Sequence, residues 1–195
     1  ETVKGSTPPT KTHEFWNSDE FQWFSPRDLS DSHSTFLINS HRKLSEKGLK
    51  KITSGLLSEK TVLFSSRAPI GYINILSTPS AIGTGLFGIK CNEKYSYSYI
   101  YCLFQTLIFK YKQLSIGSTF EEISKKIFDD LIISTPNNKL GKLYSEIIDP
   151  VFEKILINQQ EILYLQKVRD TLLPKLISGK LRIKDAEKYI EEADI

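Results

Sequence analysis

The sequence predicts an α+β protein. A compact mixed α/β domain over residues 1–139 is followed by a long coiled-coil-forming α-helix over residues 140–183. In the second segment an apolar stripe recurs every 3.5 residues, which is typical of a coiled-coil helix. In the first, short alternating patterns separated by turn residues fill positions 61–90 and predict strands, and a pattern with 3.6-residue spacing follows them. The acidic residues 184–195 predict a frayed tail.

The first 29 residues predict a loop and then a strand. Residues 1–12 are rich in Gly, Pro, Ser and Thr, which favours a loop. The segment FQWFS, residues 21–25, predicts a short strand that Pro26 ends, because proline cannot continue a strand ladder. The aromatic residues of this region predict core packing, with a base-stacking platform as the alternative. They are Phe15, Trp16, Phe21, Trp23 and Phe24.

A helix and two strands are predicted in the next part of the chain. Residues 45–51 predict a short helix that Gly48 ends. Residues 61–65 and 70–76 predict two strands joined by a turn at Arg67-Ala68-Pro69.

The glycines that follow have the spacing of a dinucleotide-binding motif but lack its structural context. Gly83, Gly85 and Gly88 have the G-x-G-x-x-G spacing of a dinucleotide-binding loop. That motif needs a strand before it, a helix after it and an acidic residue about 20 positions later. A turn precedes the glycines here and residues 86–90 predict a strand, so the pattern favours a glycine-rich turn between strands.

An aromatic helix is predicted over residues 97–114, capped by a serine at its start. Its apolar positions recur with helical spacing. They are Ile100, Leu103, Phe104, Leu107, Ile108 and Tyr111. A second short helix is expected after Ser118 or Thr119, which would cap it. Residues 130–135 predict a strand closed by Pro136.

The last predicted element is the long helix. Seven of its nine seam positions are apolar, and a lone helix cannot bury such a stripe on itself, so it needs a partner helix. The seam positions are Ile148, Val151, Ile155, Asn158, Ile162, Leu165, Arg169, Leu172 and Leu176. Pro150 predicts either a kink or a fresh start with Asp149 as N-cap, and Pro174 predicts a second interruption. The main rod is then expected over residues 151–173, roughly 35 Å long.

Composition narrows the class of protein. Of the 195 residues, 39% are hydrophobic and 25% charged, as in ordinary globular domains. The absence of an 18-residue apolar run and of a signal peptide predicts no membrane span, and two cysteines suit a reducing cytoplasm. The chain contains no Met, which favours a fragment or a trimmed start.

Charge and motifs leave the function open. Residues 1–139 hold 17 Lys/Arg against 13 Asp/Glu, and residues 140–195 hold 9 against 10. This basic excess permits nucleic-acid binding, and an ordinary solvated surface is the alternative. The three histidines show no metal-ligand spacing, and the sequence contains no Walker loop, nucleophile elbow or kinase motif. We therefore expect a binding module rather than an enzyme.

Four stretches resemble the specificity subunit of type I restriction-modification enzymes. Residues 5–29 resemble its opening Gly-x-Thr-Pro and Trp-containing stretch. Residues 45–75 resemble its target recognition domain, with a Ser-Arg-Ala-x-Ile-Gly pattern in which Pro69 fills the variable place. Residues 117–124 resemble its Gly-Ser-Thr-Phe-x-x-Ile-Ser turn, and residues 171–183 resemble the motif that ends its long helix. The stretches occur in the family's order and cover nearly the whole chain.

The resemblance implies a DNA-recognition function without catalysis. A subunit of this family has two recognition domains held apart by two antiparallel helices, and each domain reads one half of a bipartite DNA site. This chain resembles one half of that arrangement, so pairing with itself or with a second half is expected through the long helix. The implied partners are double-stranded DNA, methyltransferase subunits and, indirectly, a restriction subunit. S-adenosylmethionine, ATP and Mg are expected only in those partners, and no cofactor is expected on this chain.

Two basic segments are the predicted DNA contacts, because Lys and Arg bind phosphates and polar side chains read base edges. The first segment contributes Arg42, Lys43, Lys47, Lys50 and Lys51. The second contributes Lys110, Lys112, Gln113, Ser115, Ser118 and Thr119. Arg67 belongs to the family-wide pattern and is expected to support its loop more than to read a base.

Two other functions remain open from the sequence. The chain could be an interaction protein or regulator that pairs by its helix with a full specificity subunit. A nucleotide-dependent enzyme is the third hypothesis, and it depends on the glycine pattern at residues 83–88 alone.

Overall fold

Eight strands and five α-helices lie within the residues that the computed structural model describes, which are 1–16, 18–67, 69–92, 94–115 and 122–181. The strands are β1 Thr2–Lys4, β2 Phe21–Phe24, β3 Phe36–Leu37, β4 Arg42–Leu44, β5 Val62–Ser65, β6 Ile73–Leu76, β7 Ala81–Ile82 and β8 Leu86–Ile89. The helices are α1 Pro26–Asp31, α2 Glu46–Leu49, α3 Tyr97–Gln113, α4 Lys125–Asp129 and α5 Asn138–Ile177. The chain divides into two compact units, residues 1–156 and 157–195.

The strands form two sheets in the first unit. A five-stranded sheet has the order β1-β8-β5-β6-β3, and a three-stranded sheet has the order β4-β2-β7. In the larger sheet β5 is central and pairs antiparallel with β6 and β8. In the smaller sheet β2 is central, antiparallel to β4 and parallel to β7.

Both faces of the larger sheet are covered. Side chains alternate between the two faces of a strand. On β5, Val62 and Phe64 enter one apolar cluster together with α3 residues, whereas Leu63 enters a second cluster that includes Phe24 and Leu29. The five-stranded sheet is therefore a middle layer between the helices and the smaller sheet with α1.

Aromatic side chains join the helices to the larger sheet. The Phe64 ring centroid lies 5.1 Å from those of Tyr111 and Phe128 and 6.0 Å from that of Phe104. Phe128 in turn lies 4.8 Å from Phe87 on β8. Such ring pairs contribute about 0.5–1.5 kcal/mol beyond the burial of their area. This cluster fixes α3 and α4 on the sheet.

Several predicted elements are confirmed. The strand expected over residues 86–90 is β8, and the glycine turn lies between β7 and β8, with Gly85 at φ 92°. The aromatic helix predicted over residues 97–114 is α3, which Ser96 caps by accepting a hydrogen bond from the Tyr99 amide.

The prediction of a loop over residues 1–12 is wrong in part, because β1 pairs with β8 there. The structure also adds α1 directly after β2. Pro26 occupies the first turn of α1, where its missing N–H has no intrahelical partner to lose. Ser25 and Asp28 form a capping box that starts this helix.

The prediction that Gly48 ends its helix is wrong, because Gly48 lies inside α2. A Cβ at Gly48 would lie 2.5 Å from the Phe15 carbonyl oxygen, so the glycine permits a close approach of two backbone segments.

The strand predicted over residues 130–135 does not form, and Ile132 is 90% exposed. The expected start of a short helix after Ser118 or Thr119, with Glu121 or Glu122 in its first turn, is also wrong. The helix α4 begins at Lys125 with Ser124 as its cap, and Glu122 forms a bridge with Arg67 instead. Ser118 and Thr119 lie outside the described residues.

The helix α5 runs through both of the proline positions at which interruptions were predicted. Asn137 caps it by accepting a hydrogen bond from the Leu140 amide. Around Pro150, Ile148 and Phe152 pack on the core and Asp149 accepts a hydrogen bond from Ser98. These tertiary contacts hold the helix in place where local propensity alone disfavours it.

No helix in the described part of the chain is both long and apolar enough to cross a membrane.

The aromatic cluster predicts a contrast between two phenylalanines. Phe64→Ala should lower the free energy of unfolding by about 3–5 kcal/mol, since it deletes a fully buried ring at the centre of the cluster. Phe109→Ala should change it by less than about 0.5 kcal/mol, because that ring is 72% exposed. Urea denaturation followed by circular dichroism measures both. Equal losses would contradict the assignment of Phe64 to the structural centre.

Candidate nucleic-acid interface

Arg42, the first predicted DNA contact, is held by the tryptophans near the start of the chain. Its guanidinium carbon lies 3.4 Å from the centroid of the Trp16 ring, a cation–π distance. Trp16 packs edge-on against Trp23, with ring centroids 4.9 Å apart. Trp23 is buried, as the core-packing prediction expected, and the half-buried Trp16 orients a cation at the surface.

The remaining cations of this segment are mostly ion-paired. Lys43 contacts Asp19 at 2.9 Å, Lys47 contacts Glu14 at 2.9 Å and Lys50 contacts Glu46 at 2.7 Å. Lys51 is exposed and forms no ion pair with another described residue. Exposed pairs stabilise a protein by about 1 kcal/mol or less, so a phosphate can compete with them. They nevertheless lower the net positive charge of this segment, and two of the three acids come from elsewhere in the sequence.

A buried carboxylate fixes the backbone beside Arg42. Asp28 is 5% exposed and accepts hydrogen bonds from the Ser25 amide and hydroxyl and from the His41 amide. The His41 ring nitrogen Nδ1 lies 2.9 Å from the same carboxylate. Burial alone would raise the pKa of Asp28, but these hydrogen bonds outweigh it and hold that pKa below its ordinary value.

Arg67 lies in the turn between β5 and β6. Its Nε is 3.2 Å from Glu122, and its side chain lies against Gly85, where a Cβ would come 3.4 Å from Arg67 Cδ. Both contacts are within the protein. The predicted supporting role of Arg67 therefore has a geometric basis, and its contact with DNA stays a prediction.

The second predicted segment meets this turn. A Cβ at Gly71 would lie 2.8 Å from Ile108 and 3.5 Å from Lys112 Cε, so the turn packs closely on the C-terminal part of α3. Lys110, Lys112 and Gln113 are exposed. Neither lysine forms an ion pair with another described residue, in contrast to Lys43, Lys47 and Lys50. Ser115 is half-buried, and Ser118 and Thr119 lie outside the described residues.

The structure thus groups the Arg67 turn with the end of α3, whereas Arg42 and Lys43 belong to β4 of the smaller sheet. An open pocket of about 310 Å³ lies beside the turn between β5 and β6 and beside α3. Its lining includes Tyr72, Asn74, Tyr101, Gln105 and His33.

Sequence reasoning missed an exposed aromatic residue on α3. Phe109 is 72% exposed and lies between Lys110, Lys112 and the two glutamines Gln105 and Gln113 along the helix surface. The signal was present in the sequence, because Phe109 is apolar but falls outside the helical stripe that predicts the buried face.

Ionic contacts tie the first part of α5 to the rest of the first unit. Glu153 accepts a hydrogen bond from the Tyr97 hydroxyl at 2.7 Å and pairs with Lys60 Nζ at 2.6 Å. The hydrogen bond from Lys60, opposed by partial burial and helped by the Tyr97 hydroxyl, lowers the pKa of Glu153. Lys60 itself adopts φ 63°, a left-handed conformation that is uncommon for a side-chain-bearing residue.

The predicted helix seam divides between two environments. Within the first unit, Ile148 and Ile155 pack against the domain core, while Val151 is 53% exposed. The structure therefore gives Ile148 and Ile155 a role within the chain. Within the second unit, some seam residues are exposed and others are half-buried; the exposed ones are Asn158, Ile162, Leu165 and Arg169, and the half-buried ones are Leu172 and Leu176. Arg169 contacts its neighbour Asp170 at 2.7 Å. Pairing through the seam stays a prediction.

Solved type I specificity subunits share the fold of this chain. The S subunit from M. genitalium matches with a TM-score of 0.61 at 14% identity, covering 91% of this chain and 43% of that one. The HsdS subunit from Thermoanaerobacter tengcongensis matches with a TM-score of 0.56 at 18% identity, covering 93% and 43%. At these identities the likeness concerns the fold alone.

The chain belongs to the family of type I restriction modification DNA specificity domains, whose sequence model matches residues 1–167. The specificity subunit of the type I restriction enzyme MjaIX of Methanocaldococcus jannaschii is 30% identical over 163 residues, which are 83% of this chain and 37% of that protein. The HindI specificity subunit of Haemophilus influenzae is 26% identical over 182 residues, 92% and 39%. The chain thus spans less than half the length of these relatives.

Asp28 predicts a dependence of stability on pH. Because its folded-state pKa is depressed, its contribution is present above the unfolded pKa of about 4 and is lost as the pH falls through the folded value. Asp28→Asn should lower the free energy of unfolding at pH 7 by about 1–3 kcal/mol and flatten its decline below pH 4. Asp31→Asn is the matched control, because this exposed carboxylate lies 3.3 Å from Arg27 Nε and 3.7 Å from Nε2 of the same His41, and it should cost under about 1 kcal/mol. An unchanged acid profile in Asp28→Asn, measured by urea denaturation, would contradict the role given to Asp28.

Proposed function

We propose that this chain is a sequence-specific DNA-recognition module of a type I restriction-modification system, reading one half of a bipartite DNA site. The observation that carries the proposal is the family match over residues 1–167. The exposed cations Arg42, Lys51, Lys110 and Lys112 support it, because a duplex is bound through its phosphates.

The long helix supplies the connection to a second half. Its exposed apolar positions, among them Ile162 and Leu165, suit a helix that packs against a partner. If that partner is a second copy, two-fold symmetry presents identical domains to the DNA, and the bound site is an interrupted palindrome. The helix then acts as a spacer between the two half-sites.

The chain contributes recognition and no catalysis in this proposal. Methyltransferase subunits dock on it and bring a restriction subunit indirectly, and the complex is cytoplasmic. S-adenosylmethionine, ATP and Mg belong to those partner subunits, and this chain holds no cofactor of its own. Relatives named as specificity subunits of type I restriction enzymes support this division of roles.

A second function is favoured by one observation. Ile162 and Leu165 leave an apolar stripe exposed on the second part of α5. Such a stripe also suits an interaction protein or regulator that pairs by its helix with a full specificity subunit. Co-purification with such a subunit, without protection of any duplex, would favour this function.

Selection from a random-sequence duplex library tests the main proposal. The full chain, assembled with methyltransferase subunits, should enrich a motif with one or two fixed half-sites at moderate salt. Enrichment without any motif would contradict sequence-specific recognition.

The ion-pair pattern predicts a difference in salt dependence. Lys110→Gln with Lys112→Gln should reduce the slope of log affinity against log salt by about 1.8, since each lost phosphate contact removes about 0.9. Lys47→Gln with Lys50→Gln should reduce it less, because these lysines contact Glu14 and Glu46. Fluorescence anisotropy across a salt series measures both slopes. Equal reductions would contradict the distinction between paired and unpaired lysines.

The seam predicts a defect in self-association. Ile162→Asp with Leu165→Asp should weaken pairing at least tenfold, because each side chain is expected to contribute about 1.5–3 kcal/mol on burial. Leu163→Asp, one residue outside the seam and also exposed, is the matched control and should pair normally. Sedimentation equilibrium measures the association. If the chain with both Ile162→Asp and Leu165→Asp still associates as the wild type does, it does not pair through this seam.

A further inference from the structure

One side of α3 packs against the core of the fold, and the other side is exposed. On one side, Phe104 and Tyr111 are buried against Phe64 and Phe128. The other side of its C-terminal half carries exposed residues: Gln105, Thr106, Phe109, Lys110, Lys112 and Gln113. The fold accounts for the buried side and leaves the exposed residue types unexplained.

Phe109 is the unusual member of that exposed side. Among the described residues, the other nine phenylalanines are buried or half-buried, whereas Phe109 is 72% exposed. A single exposed apolar side chain is ordinary on a protein surface. What distinguishes Phe109 is its position, because its neighbours three and four residues away along the helix are exposed polar residues: Gln105, Thr106, Lys112 and Gln113.

The spacing of these residues places them on one line. Gln105, Phe109 and Gln113 are four residues apart, so their side chains are neighbours along the helix surface. Eight residues of helix extend about 12 Å, which matches about three to four base pairs of a duplex at roughly 3.4 Å each. The major groove of B-DNA is about 12 Å wide and admits an α-helix.

The side-chain types on the line fit one kind of base pair. A glutamine side chain bonds both N6 and N7 of adenine, and phenylalanine makes an apolar contact with the C5 methyl group of thymine. Lys110 and Lys112 lie beside the line without a carboxylate partner among the described residues, which suits phosphates at the edge of the groove. The charge of these lysines favours a polyanion over a neutral protein surface.

We propose that α3 enters the major groove and reads A·T base pairs, with Phe109 against the C5 methyl group of a thymine and Gln105 or Gln113 on a neighbouring adenine. The proposal rests on the DNA-recognition function proposed above and names the residues that determine part of its specificity. Phe109 is a contact residue in it, not a support for the fold.

Removal of one methyl group from the DNA tests the contact directly. The duplex selected by the wild-type chain is prepared with each thymine in turn replaced by deoxyuridine, and affinity is measured by fluorescence anisotropy. At one thymine or more the change should weaken wild-type binding about fourfold, the equivalent of one buried methyl group.

Variants at position 109 show whether the loss of affinity comes from a contact between Phe109 and the thymine methyl group. For Phe109→Ala the same replacement should leave affinity unchanged, while Phe109→Leu should retain part of the sensitivity through its apolar side chain. Ile132→Ala, at a residue that is 90% exposed, is the matched control and should retain the full fourfold effect. The exposure of Phe109 leaves folding intact in both variants.

Each outcome has a distinct meaning. A wild-type chain that selects a motif but is insensitive to every deoxyuridine replacement overturns the inference and leaves the proposed function standing. A wild-type chain that selects no motif contradicts the proposed function, and the inference with it. If Phe109→Ala alters self-association and not DNA affinity, a second copy of the chain covers this face and the inference is wrong.

Discussion

The packing of Phe64 against two helices is the constraint on which the first unit, residues 1–156, depends. Phe64 lies on the central strand of the larger sheet, and its ring contacts Phe104 and Tyr111 of α3 and Phe128 of α4. Because these buried residues fix which side of α3 faces inward, they also fix which side faces outward. The line through Phe109 is thus exposed as a consequence of core packing.

The same unit also determines how the long helix begins. Ile148 and Phe152 pack on the core cluster, and Glu153 is held by Tyr97 and Lys60. Through residue 156 this helix is part of the first unit. In the proposed function this helix is a spacer, and fixing its first turns on the domain suits a defined spacing of two half-sites.

The sequence predicted best where periodicity and turn chemistry agreed, as for β8, α3 and the turn at Gly85. It failed where a distant contact decided the structure. Pro150 predicted a break, but packing on both sides of it keeps the helix continuous. Gly48 read as a helix end, although the glycine is there because the Phe15 backbone approaches it. The partners of Lys43 and Lys47 come from distant positions in the sequence, so the density of lysines overstated the free charge of that segment.

Photo-cross-linking shows directly whether the side of α3 that carries Phe109 binds DNA. A photoreactive benzoylphenylalanine is placed at position 109 or at position 132, both exposed in the structure, and each chain is irradiated with the duplex selected by the wild-type chain. We expect an efficient cross-link to the DNA from position 109 and little or none from position 132. Equal yields from the two positions, or a cross-link from position 132 alone, would contradict it.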